Sequence, residues 1–256
     1  MVVTLDEKWI GKVAIVTGAS SGIGEAIAER LVEEGMQVVG LARRKERLDQ
    51  IAKRVTGKKG KFYPIKTDMS KEDDILSSFK WVKDNLGTVH VMVNNAGISK
   101  LSLFTESDTK SWTDVLQVNV IGLSIATRES IKSMREGNFD GHVVSINSIL
   151  GHHVANFPLS NMYSPSKHAV TAIHEVLRQE LASMGSKIKI TDISPGIVDT
   201  DLITESSKKI GALNFLKTQI DFLQPKDIAE AVVYVLSTPS SVLVNELIIR
   251  PVGEVV

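Results

Sequence analysis

Short runs of apolar residues, many of them β-branched, alternate with longer amphipathic stretches along the chain. The apolar runs are continuous rather than alternating, which is typical of strands buried on both faces of a parallel sheet. The predicted strands cover residues 13–17, 37–41, 61–66, 89–93, 142–147, 187–193 and 244–250. Apolar residues at helical spacing predict helices over residues 22–35, 45–54, 71–86, 109–136, 164–184 and 225–237.

This alternation predicts an α/β fold, a doubly wound parallel sheet with helices on both faces. No linker rich in proline, glycine or serine divides the sequence, so we predict a single domain over residues 1–256. Residues 199–224 depart from the alternation, although their apolar residues have helical spacing. They form either one more surface helix or a helical flap over the substrate pocket, because insertions after strand ends often carry binding sites in such sheets.

The composition is that of an ordinary globular protein, with 43% hydrophobic and 23% charged residues. Thirty basic and thirty acidic side chains cancel, so a nucleic-acid partner is not expected. The absence of cysteine excludes disulfides, thiolate nucleophiles and cysteine metal sites. The N-terminus lacks a signal-peptide pattern, and no apolar run approaches the roughly 20 residues of a membrane span. We therefore expect a cytoplasmic protein.

A glycine-rich segment joins the first predicted strand to the first predicted helix. It runs T-G-A-S-S-G-I-G over residues 17–24. Glycines at this place let the backbone turn sharply and approach a pyrophosphate, and the helix N-terminus supplies free N–H groups. The spacing differs from the common G-x-G-x-x-G fingerprint, so a purely structural turn is the alternative. No G-x-x-x-x-G-K-[ST] occurs, which argues against phosphoryl transfer.

The end of the second predicted strand bears on the choice of dinucleotide. An NAD site usually has an acidic residue here for the ribose 2′-hydroxyl, whereas a basic residue suits a 2′-phosphate. This chain has Ala42 followed by Arg43 and Arg44, whose guanidinium groups match phosphate. The alternative is a solvated helix start. We predict NADP(H) as the cofactor, with NAD(H) as the lesser possibility.

Tyr163 and Lys167 lie four residues apart, the spacing of one helix face. A free tyrosine has a pKa of about 10, and one positive charge about 4 Å away favours the phenolate by roughly 4 kcal/mol at an effective dielectric near 20. We therefore predict that Lys167 lowers the pKa of Tyr163 and makes it an acid and base near neutral pH. Pro165 is tolerated only in the first turn of a helix, which places the helix start beside Tyr163.

Several further motifs occur in order along nearly the whole chain. They are T-G-A-S-S-G-I-G at 17–24, N-N-A-G at 94–97, Asn119, Ser148, Y-x-x-x-K at 163–167 and P-G-I-V-D-T at 195–200. Together they resemble the short-chain dehydrogenase/reductase family. The resemblance implies a seven-stranded Rossmann sheet, a nicotinamide cofactor and the interconversion of an alcohol and a carbonyl compound.

The resemblance also implies roles for individual residues. Tyr163 would be the acid and base, Ser148 would hold the substrate oxygen, and Asn119 would order a water that connects Lys167 to solvent. The implied catalytic residues are Asn119, Ser148, Tyr163 and Lys167. The implied cofactor contacts are Gly18, Ser20, Ser21, Gly22, Ile23, Gly24, Arg43, Arg44, Asp68, Asn95, Ala96, Gly97, Tyr163, Lys167, Pro195, Gly196, Val198 and Thr200. Alternatively, Asn119 bonds locally within a helix and Ser148 only forms a turn.

Other chemistries have less support in the sequence. The G-x-S-x-G motif of a serine hydrolase is absent. His152 and His153 follow Ser148, but adjacent histidines project in different directions and no carboxylate lies at ligand spacing. We therefore predict no metal site. A protein that binds NADP(H) as a redox sensor or scaffold, without catalysis, is the competing function. The intact set of Ser148, Tyr163 and Lys167 favours an enzyme.

Two segments indicate the type of substrate. Residues 146–152 and 249–254 look most like the branch with insect farnesol dehydrogenases and a related vertebrate steroid and dicarbonyl reductase. We therefore expect a small lipophilic alcohol or carbonyl compound of isoprenoid, steroid or retinoid type. The apolar residues of the loop after Ser148 agree with this: Val154, Phe157, Leu159 and Met162. The family resemblance also implies a homodimer or homotetramer.

Overall fold

The computed structural model describes residues 4–154, 160–202 and 220–254. Its described strands form one sheet of seven, in the order β3-β2-β1-β4-β5-β6-β7, with every adjacent pair parallel. The strands are β1 (Val13–Thr17), β2 (Gln37–Ala42), β3 (Lys61–Lys66), β4 (Val91–Asn94), β5 (His142–Ile146), β6 (Lys189–Pro195) and β7 (Glu246–Ile249). The predicted fold class is confirmed.

Helices cover both faces of the sheet. They are α1 (Gly22–Glu33), α2 (Lys45–Arg54), α3 (Glu72–Asn85), α4 (Thr109–Leu116), α5 (Leu123–Glu136), α6 (Tyr163–Ser183) and α7 (Pro225–Ser237). Apolar residues of α1, α2 and α7 pack into one buried cluster, and those of α3, α5 and α6 pack into a second. The sheet therefore has a hydrophobic core on each side.

The strand β1 shows why a central strand of the sheet is mostly apolar. All five of its residues are buried. Ala14 and Val16 belong to the core beside α1 and α7, whereas Val13 and Ile15 belong to the core on the opposite face. Successive side chains of a strand point to opposite faces, so a strand with two buried faces favours apolar residues at most of its positions.

One predicted helix differs from the structure. A single helix was expected over residues 109–136, but α4 and α5 are joined by a π-helical segment, Gln117–Gly122. The segment ends where the backbone of Gly122 approaches the carbonyl oxygen of Met69 so closely that an added Cβ would overlap it. π-helical segments often occur at functional sites, and this one carries Asn119.

The predicted flap lies largely outside the described residues, because residues 203–219 are not among them. The two ends of the segment are described and lie side by side. Val198 and Leu223 form a parallel bridge, and Asp199 N donates to Leu223 O at 2.8 Å. Among the described residues, none of the helices has the length and apolar character that crossing a membrane requires.

The strand order reverses direction beside β1. This strand pairs with β2 on one side and with β4 on the other, so the connections after β1 and β4 leave in opposite directions. In doubly wound sheets such a point opens a crevice at the carboxyl ends of the strands, where ligands bind.

Candidate active site

A cavity of about 350 Å³ lies at this crevice. Most of the predicted cofactor residues line it: Gly18, Ser20, Ser21, Gly22, Ile23, Arg43, Arg44, Asp68, Asn95, Ala96, Gly97, Tyr163, Lys167 and Thr200. Sequence reasoning missed other lining residues, among them Ala42, Thr67, Met69, Ile98, Val118, Ile146, Asn147, Asp201 and Leu202. Most of the missed residues adjoin a predicted motif and carry no distinctive chemistry of their own.

The glycine-rich turn has the geometry that glycine permits. Gly18 and Gly22 have φ values of +67° and +58°, in the left-handed region that favours glycine. Gly24 does not line the cavity. An added Cβ on Gly24 would overlap the Asn95 amide and the Gly18 carbonyl oxygen, so this glycine lets the turn pack on its neighbours.

Thr17 and Asn95 stabilise the glycine-rich turn by hydrogen bonds. The hydroxyl of Thr17 accepts hydrogen bonds at 3.0 Å from the backbone N–H groups of Asn95 and Ala96. The side-chain amide of Asn95 donates to Thr17 O at 2.9 Å. Asn95 lines the cavity as expected, but its side chain also supports the glycine turn, a role that the sequence motif did not reveal.

The two arginines after β2 have different partners. The Arg44 guanidinium donates to Ser21 Oγ at 2.6 Å and to Ser20 Oγ at 3.2 Å. Arg43 faces Asp68, which also accepts hydrogen bonds from Ser70 N at 3.0 Å and Ser70 Oγ at 2.8 Å. Burial opposes ionisation of Asp68, but these hydrogen bonds and the Arg43 charge outweigh it and lower the pKa of Asp68.

Tyr163, Lys167 and Ser148 lie close together. Tyr163 is the first residue of α6 and Lys167 follows one turn later. Lys167 Nζ donates to Ile146 O at 2.9 Å and lies 5.7 Å from the centre of the Tyr163 ring. Ser148 Oγ accepts from Leu150 N at 3.1 Å and also takes part in a hydrogen bond with Tyr163.

The pKa values differ from the expected ones. Burial raises the pKa of Tyr163 to about 12, and the hydrogen bond with Ser148 only partly offsets it. Burial lowers the pKa of Lys167 to about 8, against the opposing charge of Asp192. The predicted lowering of the Tyr163 pKa by Lys167 is therefore wrong for this structure. The prediction placed the ammonium against the phenol, but it is directed to the Ile146 carbonyl.

Asn119 makes contacts well outside its own helix. Its side-chain amide donates to Ile98 O and to Ser166 Oγ, both at 3.0 Å, and its oxygen accepts from Ile98 N at 2.9 Å. The side chain is 2% exposed. Asn119 thus joins the loop after β4 to α6, one residue from Lys167, rather than bonding locally.

Only part of the segment after β6 lines the cavity. Pro195, Gly196 and Val198 do not line it, whereas Thr200 does. Gly196 N donates to Ile249 O at 2.7 Å, and Ile197 N donates to Glu254 Oε1 at 2.9 Å. These bonds hold the segment against the end of β7 and the residues after it.

The loop after Ser148 is described only in part. Phe157 and Leu159 lie outside the described residues, and Val154 is 71% exposed. His152 Nε2 lies 2.8 Å from Ser194 Oγ and 3.0 Å from Glu246 Oε1. Within residues 4–154, 160–202 and 220–254, no three histidine or carboxylate side chains form a group suited to a metal ion.

Comparison with known proteins identifies relatives over nearly the full chain. The family model described as short chain dehydrogenase matches residues 12–211. Farnesol dehydrogenase from Aedes aegypti is 48% identical over 250 residues, which cover 97% of this chain and 99% of that protein. Dehydrogenase/reductase SDR family member 11 from Homo sapiens is 40% identical over 255 residues and covers 97% of each chain. The predicted resemblance, including its branch, is confirmed.

Solved structures share the fold. An alcohol dehydrogenase from the archaeon Thermococcus sibiricus, complexed with 5-hydroxy-NADP, is 28% identical with a TM-score of 0.81. The match covers 95% of this chain and 97% of that one. A short chain dehydrogenase/reductase from Burkholderia phymatum in complex with NAD has a TM-score of 0.82 at 24% identity, over 95% and 90% of the two chains.

Proposed function

Because the chain belongs to the short-chain dehydrogenase/reductase family, we propose that it is an NADP(H)-dependent oxidoreductase for a small lipophilic alcohol or carbonyl compound. The observation that carries the proposal is that Tyr163 and Lys167 line the same cavity as the glycine-rich turn at the strand-order reversal, with Ser148 hydrogen-bonded to Tyr163. We further propose that the protein works in the cytoplasm as a homodimer or homotetramer, with one domain per chain.

The residues around the cavity fit a nicotinamide dinucleotide. The turn contains Gly18 and Gly22, both with positive φ, and it leads into the N-terminus of α1. Such a turn with free N–H groups suits a pyrophosphate. Tyr163 and Lys167 line the same cavity, and we assign them to the nicotinamide ribose. Asp68 lines the wall at which we place the adenine.

The residues after β2 support NADP(H) over NAD(H). Ala42 is 7% exposed and supplies no carboxylate for a ribose 2′-hydroxyl. Arg43 and Arg44 both line the cavity there. Guanidinium groups bind phosphate in a planar fork, whereas a nearby carboxylate would repel a 2′-phosphate.

We assign proton transfer to Tyr163. The nicotinamide supplies the hydride chemistry when it is bound. With a pKa of about 12, Tyr163 holds its proton at neutral pH and so carries the proton that a nascent alkoxide needs in the reductive direction. Ser148 orients the substrate oxygen by a hydrogen bond. Lys167 holds the ribose and places a positive charge behind the phenol.

The relatives support a lipophilic substrate. The name of the Aedes aegypti relative gives farnesol, an isoprenoid alcohol, as its substrate, and that protein shares 48% of its residues with this chain. We therefore place isoprenoid alcohols and aldehydes first among the candidates, before steroids and retinoids. Residues 199–224 remain our candidate for a flap over this substrate.

The test is consumption of NADPH with a panel of isoprenoid, steroid and retinoid carbonyl compounds. Tyr163→Phe removes only the phenol oxygen, so we expect turnover to fall by about 10²-fold or more because proton transfer is lost. Binding of NADPH, followed by its fluorescence, should change little. Tyr63→Phe is the matched control, since Tyr63 lies in β3 and does not line the cavity.

Two outcomes would contradict the proposal. Turnover that survives Tyr163→Phe would reject Tyr163 as the proton donor. Tight binding of NADPH with no turnover on any member of the panel would favour a redox sensor or scaffold over an enzyme.

A further inference from the structure

A carboxylate is buried behind the lysine of the candidate active site. Asp192 lies in β6 and is 1% exposed. Its Oδ2 accepts a hydrogen bond from Asn147 Nδ2 at 2.8 Å, while Oδ1 has no hydrogen-bond partner within the described residues. Burying an incompletely bonded carboxylate is costly, so its presence in the core calls for an explanation.

Asn147 connects this carboxylate to the cavity. Asn147 lines the cavity and also donates to Thr171 Oγ1 at 2.9 Å. The preceding residue, Ile146, accepts the hydrogen bond from Lys167 Nζ. Lys167 and Asp192 are thus anchored on adjacent residues at the end of β5, in an environment with little water to screen their charges.

Three basic groups interact electrostatically with Asp192. These are Lys167 and His174 of α6 and His152 of the loop after β5, whose charges act on the Asp192 carboxylate. All three favour the ionised carboxylate, against burial, which raises the pKa of Asp192. His174 Nε2 lies 3.0 Å from Asn245 Oδ1, and the carboxylate of Glu246 in β7 faces His152. Lys167 is the member of this group that lines the cavity.

We propose that Asp192 is a positioning residue that serves as the internal counter-ion of Lys167 and keeps its ammonium group charged while the site works. The inference rests on the proposed function, since it assigns Lys167 to the cofactor ribose and to the proton donor Tyr163. A buried lysine without an opposite charge tends to lose its proton. A neutral Lys167 would neither attract the ribose oxygens as strongly nor place a charge behind the phenol.

Asp192→Asn tests this directly, because it removes the charge and keeps the shape. We expect the alkaline limb of kcat/KM for NADPH-dependent reduction to move down by about one pH unit. With a Lys167 pKa of about 8 in the wild type, that shift lowers kcat/KM about five-fold at pH 8 and has little effect at pH 6. Asp140→Asn is the matched control, since it removes the same charge from an exposed position.

Binding of NADPH between pH 6 and 10 gives a second measurement that does not need turnover. The midpoint at which affinity declines should fall by the same amount in Asp192→Asn, and Lys167→Met should abolish that transition. If the wild type turns over no carbonyl compound, the proposed function fails, yet the binding midpoints still report on Asp192. Unchanged midpoints with normal wild-type turnover would overturn the inference alone.

Folding has to be separated from this effect. Removing one member of a buried charge pair leaves the other without its counter-charge, so the Tm of Asp192→Asn should fall below that of the wild type. Asp192→Ser, which is smaller and uncharged, should show the same pH shift if Asp192→Asn fails to fold. A loss of activity that is equal at every pH in both variants would assign Asp192 a purely structural role and would contradict the proposal.

Discussion

Arg43 and Arg44 are adjacent in the sequence but have different surroundings. Arg44 spans the serines of the glycine-rich turn, so it supports the place proposed for the pyrophosphate. No hydrogen bond from Arg43 occurs within the described residues, and its charge faces Asp68. Arg44 therefore stabilises the turn, whereas the guanidinium group of Arg43 is available to a 2′-phosphate.

This difference predicts different cofactor effects. Arg43→Ala should raise the KM for NADPH about ten-fold or more, the worth of one charge-assisted hydrogen bond, and leave the KM for NADH nearly unchanged. Arg44→Ala should raise both, since the turn serves either cofactor. Steady-state kinetics with the two cofactors would measure this, with Lys53→Ala on the exposed side of α2 as the control. Equal effects of Arg43→Ala on NADPH and NADH would contradict our assignment of the 2′-phosphate site.

Single residues also mark what the sequence could and could not reveal. The ordered motifs located Ser148, Tyr163 and Lys167, because the chemistry depends on residue type and spacing. The support of Gly24 by Asn95 spans 71 positions of the chain, and no local pattern indicates it. The pKa of Tyr163 was predicted in the wrong direction because burial and the orientation of the Lys167 ammonium depend on tertiary structure.

At the scale of elements, the π-helical segment between α4 and α5 was not predictable. Apolar periodicity runs on through residues 109–136, so it indicates one helix. The deviation comes from a contact between Gly122 and the backbone after β3. Strand positions were predicted well, since complete burial of a strand leaves a continuous apolar run in the sequence.

This contact predicts an unusual effect of a helix-favouring substitution. Gly→Ala within a helix normally stabilises by up to about 1 kcal/mol. Gly122→Ala should instead destabilise the protein by about 1–3 kcal/mol, because the new methyl group overlaps the Met69 carbonyl oxygen. In a chain of this size, that lowers the Tm by about 2–4 °C for each kcal/mol.

Thermal unfolding would measure the change, with Lys132→Ala on the exposed face of α5 as the control. Turnover should fall more than the Tm alone explains, because Asn119 belongs to the same segment and holds Ile98 and Ser166. A Tm for Gly122→Ala equal to or above that of the wild type would show that the segment can relax away from Met69.

At the scale of the whole molecule, two histidines predict sensitivity to acid. Burial lowers the pKa of His142 to about 3 and that of His90 to about 4, with nearby lysines adding to both shifts. An unfolded histidine has a pKa of about 6.5, so between these values the unfolded chain binds more protons than the folded one. The stability they contribute is complete above pH 6.5 and is lost progressively as the pH falls to about 4 for His90 and about 3 for His142.

The loss should reach a few kcal/mol in the free energy of unfolding, measurable by denaturant titration at pH values from 7.5 to 4.5. His142→Gln cannot take up a proton and can keep the hydrogen bond to Thr191. Its free energy of unfolding should therefore fall less steeply with acid than that of the wild type. Parallel curves for the two proteins would show that His142 does not contribute to the acid sensitivity.

The contact between the ends of β1 and β4 has a consequence for chimeras that exchange segments between relatives. Thr17 at the end of β1 and Asn95 just after β4 support each other across 78 positions of the chain. A chimera that takes the chain through α3 from one family member and the chain from β4 onward from another would take Thr17 and Asn95 from different parents. Its cofactor site would then depend on whether the two parents agree at these two positions, however well each part matches its own parent elsewhere.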